Sequence, residues 1–220
     1  MSKDLQIIKE LQSRFGEFNY KISNDKVIEL EISRSSLKMV DVDLKLIGKL
    51  TNLQKLTLKC NQITEIEGLD KLTKLQELDL AFNLYITEIK GLNKLTNLQV
   101  LKLDCNKITE IKGLNKLVNL QKLYLSSNKI TEIKGLNKLT NLQKLNLNYN
   151  DITKIKGLNK LTNLEILNLD YNKITETQGL DKLTNLRELD LEGNYLTEIE
   201  GLKGLTNLQV IRIAHQKDYD

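Results

Sequence analysis

One short phrase recurs at a nearly constant interval along this chain and limits its possible folds more than any other feature. The phrase reads roughly LQxLxLxxNxITEIxGLxKLTN. Its copies begin at leucines whose position numbers differ by 22, except for one difference of 23: Leu53, Leu75, Leu98, Leu120, Leu142, Leu164, Leu186 and Leu208. Because one such unit cannot bury its own apolar side, neighbouring copies must stack. The sequence therefore predicts a solenoid with one continuous core.

Each copy combines two short periodicities. Leu56 and Leu58 alternate with polar residues, which predicts a short strand with one buried face. Ile66, Leu69 and Leu72 follow at intervals of three, which suits a tight 3₁₀-like segment better than an α-helix. Every copy also has a glycine that permits a turn or a close backbone approach. These glycines are Gly68, Gly91, Gly113, Gly135, Gly157, Gly179 and Gly201.

The repeated core and asparagine positions are almost invariant. Seven apolar columns in seven full copies give 49 positions, of which 48 hold Leu or Ile, so Thr177 is a single exception that needs a reason. The asparagine column contains Asn61, Asn83, Asn106, Asn128, Asn150, Asn172 and Asn194. A side-chain amide both donates and accepts hydrogen bonds, so this column can satisfy backbone groups at a turn. We interpret it as a structural ladder.

The phrase resembles the 22-residue class of leucine-rich repeat proteins, which includes the nuclear regulatory subunit of protein phosphatase 1 and the bacterial internalins. The resemblance covers about residues 27 to 216. It implies an α/β solenoid, namely a right-handed superhelix with a parallel sheet on its concave face, and a binding role. Internalins also carry a signal peptide, a proline in the returning segment and a C-terminal immunoglobulin-like cap. We find none of these three features in the chain, and it contains no proline.

The N-terminal segment predicts a cap made of a helix and a short strand. The helix is indicated by a capping serine, apolar residues at helical spacing and a terminating glycine: Ser2, Leu5, Ile8, Leu11, Phe15 and Gly16. The strand is indicated by the alternation of Phe18, Tyr20 and Ile22, followed by a turn at Asn24 and Asp25. A membrane-surface helix is the alternative, but the segment is short and lacks a basic face.

We expect a cap over residues 1–26 and a solenoid over 27–220, with seven full repeats between two partial ones. The first partial copy has Ser35 in the asparagine position, and the last has Gln216 there. No C-terminal cap is recognisable in the sequence. We therefore expect weak self-association at the C-terminal strand edge, or fraying of the last repeat.

The reactive side chains do not form a catalytic, metal or cofactor site. Cys60 and Cys105 occupy the same repeat position two copies apart, roughly 10 Å at the spacing of stacked strands, whereas a disulfide needs Cα atoms about 4.4–6.8 Å apart. The two cysteines should therefore be reduced thiols, which fits a cytoplasmic protein. The single histidine, His215, lies about five copies from Cys105, roughly 24 Å away. We therefore expect a protein that is not an enzyme and has no cofactor.

Charge and hydropathy exclude further classes of function. The net charge is only +4, so a strong overall attraction for nucleic acid is not expected. The chain has no apolar run long enough to cross a bilayer as a helix, so no membrane span is expected. Its charged first residues do not resemble a signal peptide.

Two lysine columns on the returning side are the basis of an alternative function. They comprise Lys49, Lys71, Lys94, Lys116, Lys138, Lys160 and Lys182, and then Lys90, Lys112, Lys134 and Lys156. Such columns could bind the phosphates of a nucleic acid or an anionic membrane. A solvated face is the simpler explanation, because Glu88, Glu110 and Glu132 lie nearby and no aromatic side chains interleave.

On the exposed side of the concave sheet, the residues differ from one copy to the next. Solenoids bind extended partners on such surfaces, and aromatic side chains are common anchors of interfaces. We predict a partner-binding site formed by an aromatic trail with an acidic end: Phe82, Tyr124, Tyr149, Tyr171, Asp170, Asp190 and Glu192.

The 23-residue interval adds two candidate anchors. One copy reads AFNLYITEI where another reads SSNKITEI, so Leu84 and Tyr85 replace a single lysine. The surrounding core must keep its register, so the extra residue should bulge outward and gather Leu84 and Tyr85 beside Phe82. A copying slip tolerated by a loop is the alternative. Because both residues are large and apolar, we favour a binding role for them.

These observations predict a cytoplasmic protein–protein interaction scaffold whose partner the sequence does not identify. The alternative from another class is an anionic-surface binder that uses the lysine columns. A third possibility, which only the resemblance suggests, is a regulatory subunit of an enzyme such as a phosphatase.

Overall fold

A computed structural model describes residues 1–33, 42–214 and 216 of the chain. It is a right-handed solenoid with a ten-stranded sheet, in which the strands follow chain order from β1 to β10. Among these residues two helices accompany the sheet: α1 (Lys3–Phe15) and α2 (Leu44–Ile47). The strands are β1 (Asn19–Ser23), β2 (Lys26–Glu31), β3 (Lys55–Thr57), β4 (Glu77–Asp79), β5 (Val100–Lys102), β6 (Lys122–Tyr124), β7 (Lys144–Asn146), β8 (Ile166–Asn168), β9 (Glu188–Asp190) and β10 (Val210–Arg212).

The sheet is parallel except for its first pair. β1 and β2 form an antiparallel hairpin around Asn24 and Asp25, which both have positive φ. From β2 onward each strand pairs in parallel with the next, and the middle leucines of successive strands align, as Leu123 does with Leu145. The repeat period therefore becomes the sheet register. The predicted solenoid, parallel sheet and N-terminal helix and strand are confirmed.

Each copy forms one turn of the solenoid, here called a rung. In a typical rung Leu123 and Leu125 are 0% exposed, so the strand buries one face, as its alternation predicts. On the returning side the Leu139 N–H donates to the Leu136 carbonyl over 2.9 Å, and the Leu142 N–H donates to Leu139 over 3.0 Å. The convex segment is thus two successive turns with 3₁₀-type hydrogen bonds rather than a continuous helix.

The repeated glycine has both of the properties that the sequence suggested. Gly91 has a φ of 75°, in the left-handed region that side chains rarely adopt. A Cβ added to Gly91 would lie 1.9 Å from the Ile66 carbonyl oxygen of the preceding rung. Glycine is therefore required by backbone conformation and by the close approach of rungs.

The asparagine column forms the predicted structural ladder. The Asn128 amide nitrogen donates to the carbonyls of Leu103 and Leu125 over 3.0 and 3.1 Å. Its amide oxygen accepts from the Ile108 N–H of the preceding rung over 3.0 Å. The side chain thus satisfies backbone groups within its own rung and in the rung before it.

A second asparagine ladder is present that the sequence analysis did not identify. Asn119 donates to the Thr96 carbonyl of the preceding rung over 2.9 Å. The same bond to the previous rung recurs at Asn97, Asn141, Asn163, Asn185 and Asn207. The signal was the asparagine directly before the leucine that begins each copy, which follows a threonine at each of these positions except Asn119, where Val118 precedes it. Each full rung is therefore tied to its neighbour at two corners.

Thr177, the single polar residue in the apolar columns, is 1% exposed. Its hydroxyl donates to the Glu200 backbone carbonyl of the next rung. The exception is therefore a buried hydroxyl with a hydrogen-bond partner, and it does not open the core to solvent.

The N-terminal helix packs on the first rung. Ser2 caps it by accepting from the Leu5 N–H over 3.3 Å, and Gly16 follows its last residue. The helix buries Ile7, Ile8 and Leu11 against the core. Neither helix in the described ranges has the length and apolar character needed to cross a membrane.

A buried contact joins the predicted cap to the predicted solenoid. The Asp4 carboxylate accepts from the Val27 N–H over 3.0 Å. The division into a cap at 1–26 and a solenoid at 27–220 stays a prediction. Ser35 and His215, which the sequence analysis singled out, lie outside the described residues.

Candidate protein-binding surface

The candidate surface is built by the first and third residues of the strands, whose side chains point away from the core. In β6 these are Lys122, which is exposed, and Tyr124, which is half-buried, on either side of the buried Leu123. Since the strands align in register, equivalent positions form columns along the sheet. We call this side of the sheet the concave face.

The residue before each ladder asparagine has an unusual backbone conformation. Its φ is positive at Cys60, Phe82, Cys105, Ser127, Tyr149, Tyr171 and Gly193, with values between 52° and 65°. We call these seven residues the αL column. Left-handed backbone costs a non-glycine residue about 1–2 kcal/mol. Sequence reasoning missed this feature, and Gly193 was its only signal in the column.

Three predicted anchors, Phe82, Tyr149 and Tyr171, occupy the αL column. Tyr149 and Tyr171 lie on adjacent rungs, and their rings stack with centroids 4.5 Å apart and planes 7° apart. A Cβ on Gly193 would lie 2.8 Å from a ring carbon of Tyr171. Glycine at position 193 therefore leaves space for the Tyr171 ring over the last full rung.

The predicted aromatic trail is divided rather than continuous. Cys105 and Ser127 separate Phe82 from the stacked Tyr149 in the αL column. Tyr124 belongs to a different column, because it is the third residue of β6, and the Lys144 ammonium lies 5.6 Å from its ring centre. The structure brings Tyr149 and Tyr171 together and leaves Tyr124 beside a lysine.

The extra residue in the 23-residue copy bulges outward, as the register argument predicts. Leu84 and Tyr85, here called the 84–85 bulge, are 55% and 48% exposed, and Phe82 is 43% exposed. The flanking Asn83 and Ile86 are 0% exposed, so the core keeps its register. Exposed apolar side chains therefore gather at one edge of the concave face.

The bulge also changes the ladder beneath it. The N–H groups of Tyr85 and Ile86 both donate to the Asn83 carbonyl, over 2.6 and 3.0 Å. In the other full rungs that follow, the N–H equivalent to Ile86 donates to the ladder amide of the next rung, as Ile108 does to Asn128. The buried Asn106 amide oxygen consequently has no donor among the described residues.

Lysines lie over the aromatic rings at the bulge. The Lys59 ammonium is 5.2 Å from the Phe82 ring centre, and the Lys107 ammonium is 5.1 Å from that of Tyr85. These cation–π contacts orient the rings at the rim but leave them accessible.

The acidic groups at the N-terminal part of the concave face are paired with lysines. Glu77 lies 3.1 Å from Lys55 and 3.2 Å from Lys102, and Lys102 also lies 3.5 Å from Asp79. Burial alone would raise the pKa of Glu77, but the two lysines lower it below its usual value. This part of the surface is therefore electrostatically compensated.

The predicted acidic end has fewer compensating charges. Asp190 lies 3.4 Å from the Arg212 guanidinium and also accepts from the Glu192 N–H over 3.1 Å. No ion pair in the described ranges joins Asp170 to a basic side chain. Burial, reinforced by the nearby Asp190 and Glu192 charges, raises the pKa of Asp170. The carboxylates thus repel one another beside the stacked tyrosines, and an approaching cation would relieve that repulsion.

The two lysine columns differ in their surroundings. Lys90 lies 3.4 Å from Glu65 and 3.5 Å from Glu88, and Lys112 lies 3.7 Å from Glu110. In the other column only Lys182 has an ion pair within the described ranges, with Asp181 at 3.3 Å. The glutamates therefore neutralise much of one column, as the sequence suggested, and the other column is largely unpaired.

The reactive residues that the sequence set aside do not converge. Cys60 and Cys105 are both free thiols. Burial raises the pKa of the Cys105 thiol, which disfavours the reactive thiolate form. Within the described ranges no group of three or more His, Cys, Asp or Glu side chains could hold a metal ion.

The profile for leucine-rich repeats in two copies matches most of the chain, at residues 51–94, 73–116, 118–153, 140–182 and 184–218. The chain belongs to the leucine-rich repeat family. A comparison of the whole sequence with curated proteins finds no significant match.

Leucine-rich repeat structures from bacteria and plants are similar to this chain. Internalin C2 of Listeria monocytogenes is 30% identical over 96% of this chain and 93% of its own, with a TM-score of 0.77. An internalin, InlF, from the same species is 35% identical over 79% of this chain and 52% of its own, with a TM-score of 0.71. This chain therefore spans about half the length of that internalin.

A plant receptor gives a third comparison. The leucine-rich repeat ectodomain of the Arabidopsis thaliana receptor kinase GASSHO1/SCHENGEN3 is 27% identical over 87% of this chain and 24% of its own, with a TM-score of 0.70. That structure was solved in complex with Casparian strip integrity factor 2. Leucine-rich repeat structures similar to this chain therefore include a receptor ectodomain solved with a bound ligand.

Proposed function

We propose that this chain is a non-enzymatic protein–protein interaction scaffold that holds a partner protein on its concave face. The αL column is the observation that supports this most directly. Its backbone conformation suits glycine or asparagine, yet it holds Phe82, Tyr149 and Tyr171, which are all exposed. The positive φ recurs in all seven full rungs and so belongs to the scaffold, whereas the exposed aromatic side chains that it displays are of the kind that anchors interfaces.

The surface favours a partner with two chemically different contact regions. The 84–85 bulge and Phe82 offer apolar contact at the rim of the rung that contains β4. Asp170, Asp190 and Glu192 offer negative charge beside the Tyr149 and Tyr171 rings. A partner that places apolar side chains at the first region and Lys or Arg at the second is complementary to both.

Capture experiments with matched variants test this proposal. Tyr149→Asn together with Tyr171→Asn removes the stacked rings while keeping side chains that tolerate positive φ. We expect the double variant to retain its melting temperature within a few degrees and to lose the proteins that the wild-type chain captures from its source cell, identified by mass spectrometry. Lys116→Glu with Lys138→Glu, on the opposite side, is the control and should capture as wild type does. Loss of capture in the control alone would contradict the concave site.

The lysine column that contains Lys116 and Lys138, which is largely unpaired within the described ranges, supports the anionic-surface alternative. If Lys116, Lys138 and their equivalents bind phosphates, the wild-type chain should be retained on heparin near physiological salt, and its affinity should fall steeply as salt rises. The Lys116→Glu, Lys138→Glu variant should then elute without retention. Absence of wild-type retention near physiological salt would remove this alternative.

A regulatory role and a cytoplasmic location remain predictions. A regulatory role on an enzyme such as a phosphatase is supported only by family resemblance, and an enzyme among the captured proteins would favour it. The cytoplasmic location stays a prediction and is supported by the two free thiols, Cys60 and Cys105.

A further inference from the structure

A groove of about 850 Å³ runs along one flank of the solenoid, where the returning segments lead into the strands. Its central part is lined by the residues on either side of the leucine that begins each copy. In one rung these are Asn119 and Gln121, which flank the buried Leu120. The same two columns continue in neighbouring rungs at Gln99, Asn141, Gln143 and Asn163. We call the six polar residues the amide groove.

The asparagines of the amide groove are held in place by the second asparagine ladder. The Asn141 amide nitrogen donates to the Val118 carbonyl of the preceding rung over 3.0 Å. Asn119 and Asn163 make the equivalent bonds, each over 2.9 Å. Each bond uses one N–H and fixes the plane of the amide, and the amide oxygen accepts no hydrogen bond from the described residues. The groove therefore has oriented acceptors at intervals of one rung, which a ligand would not have to order.

The glutamines of the amide groove have side chains with no structural role. Within the described ranges, the side chains of Gln99, Gln121 and Gln143 make no hydrogen bond to protein. Their backbone is engaged, because the Gln121 N–H donates to the Gln99 carbonyl and the Gln143 N–H donates to the Gln121 carbonyl, both over 2.8 Å. The backbone beneath the groove is therefore fixed, whereas the glutamine amides are available to a ligand.

The composition of the groove excludes two classes of polymer. Its charged lining residues lie toward the ends, with Lys74 at one end and Glu165 and Arg187 at the other. An anionic polymer such as a nucleic acid needs basic side chains along its length. A peptide strand needs free backbone groups at a sheet edge. Its advance of about 3.3 Å per residue also does not match rungs that are spaced about 4.8 Å apart.

We propose that the amide groove binds an extended chain of neutral, β-linked sugars. Amides and sugar hydroxyls both donate and accept hydrogen bonds, so a row of one can satisfy a row of the other. Successive sugars of an extended β-linked glucan advance by nearly one rung spacing, so each rung can contact one sugar. Additional rungs at either end of the solenoid would lengthen the groove and leave its central part unchanged.

This site is separate from the proposed protein-binding surface. Gln121 directly precedes β6, whereas the αL residue of the same rung, Ser127, follows that strand. The two sites therefore lie at opposite ends of the strands, and sugar binding does not require the proposed partner.

NMR titration of the isotope-labelled full chain tests the sugar site, with cellohexaose as the probe. We expect the side-chain amide signals of Gln99, Gln121 and Gln143 to shift and saturate with a Kd of about 1 mM or tighter. Maltohexaose contains the same sugar, but its α-linkages make it coil. It should therefore bind about tenfold more weakly or not at all, because it cannot follow successive rungs.

A triple variant and a matched control locate the site. Gln99→Ala with Gln121→Ala and Gln143→Ala removes amides that support no other residue, so the melting temperature should stay within a few degrees of wild type. Its affinity for cellohexaose should fall about tenfold or more. Tyr149→Asn with Tyr171→Asn, on the concave face, should bind cellohexaose as wild type does, whatever its effect on protein capture.

The same titrations contain the results that contradict a sugar site. The proposal fails if cellohexaose causes no saturable shift at the three glutamines, as expected of a groove that is only hydrated. Equal affinity for maltohexaose, or unchanged affinity in the triple variant, would also overturn it. Shifts at these amides with an uncharged Ser-Gly peptide, and none with the sugar, would assign the groove to peptides instead.

Discussion

Replacing Leu84 and Tyr85 by a single lysine is expected to weaken partner binding by roughly 2 kcal/mol or more, the range of an interface hot spot. The change removes two side chains that are 55% and 48% exposed and restores the polar residue found in other copies, such as Lys129. Calorimetric titration with the purified captured partner measures the affinity directly.

The same replacement is expected to stabilise the solenoid. With the regular repeat period restored, the Ile86 N–H can turn from the Asn83 carbonyl to the Asn106 amide oxygen, as Ile108 does at Asn128. Satisfying a buried acceptor that has no partner is worth about 1–3 kcal/mol. Urea unfolding followed by circular dichroism should show a higher midpoint for the shortened chain.

A full-length control separates the side chains from the backbone. Leu84→Ser with Tyr85→Ser keeps the extra residue and its hydrogen bonds, so it should lose binding without the gain in stability. If both variants bind the partner as tightly as the wild-type chain, the insertion is a copying slip that the rim tolerates.

The repeat period made most of the fold predictable from the sequence. The constant interval between copies places Leu123 beside Leu145, and this one relation sets strand register, core columns and the asparagine ladder. The same interval places Tyr149 and Tyr171 on adjacent rungs, where their rings stack. These features depend on the number of residues between equivalent positions, which can be read directly from the sequence.

The features that escaped prediction depend on backbone conformation and on bonds between rungs. The positive φ of the residue before each ladder asparagine is hard to recognise in the sequence, because six of the seven αL residues are not glycine. The exposure of Leu84 and Tyr85 followed from register, whereas the lack of a donor for the Asn106 amide oxygen depends on where the Ile86 N–H points. The sequence shows that Ile86 and Asn106 are present, but it does not show in which direction the Ile86 N–H points.

Asn128→Ala is expected to destabilise the solenoid more than Asn106→Ala, by about 1–3 kcal/mol. Both amide nitrogens donate to three carbonyls, so the loss of donation is matched between the two variants. Only Asn128 also accepts, from the Ile108 N–H. Removing the Asn128 side chain leaves the buried Ile108 N–H without an acceptor. Removing the Asn106 side chain leaves no N–H without an acceptor in this way, because the Ile86 N–H already donates to the Asn83 carbonyl.

The difference between the two asparagines should disappear when the 84–85 bulge is removed. In the chain with a single lysine in place of Leu84 and Tyr85, Asn106 gains the Ile86 donor, so Asn106→Ala should then cost as much as Asn128→Ala. Urea unfolding of the variants in both backgrounds gives the coupling between the bulge and Asn106 as a double-mutant cycle. A coupling near zero would mean that the extra residue does not break the ladder. A coupling of about 1–3 kcal/mol would show that the bulge keeps its apolar side chains exposed at the expense of one ladder hydrogen bond.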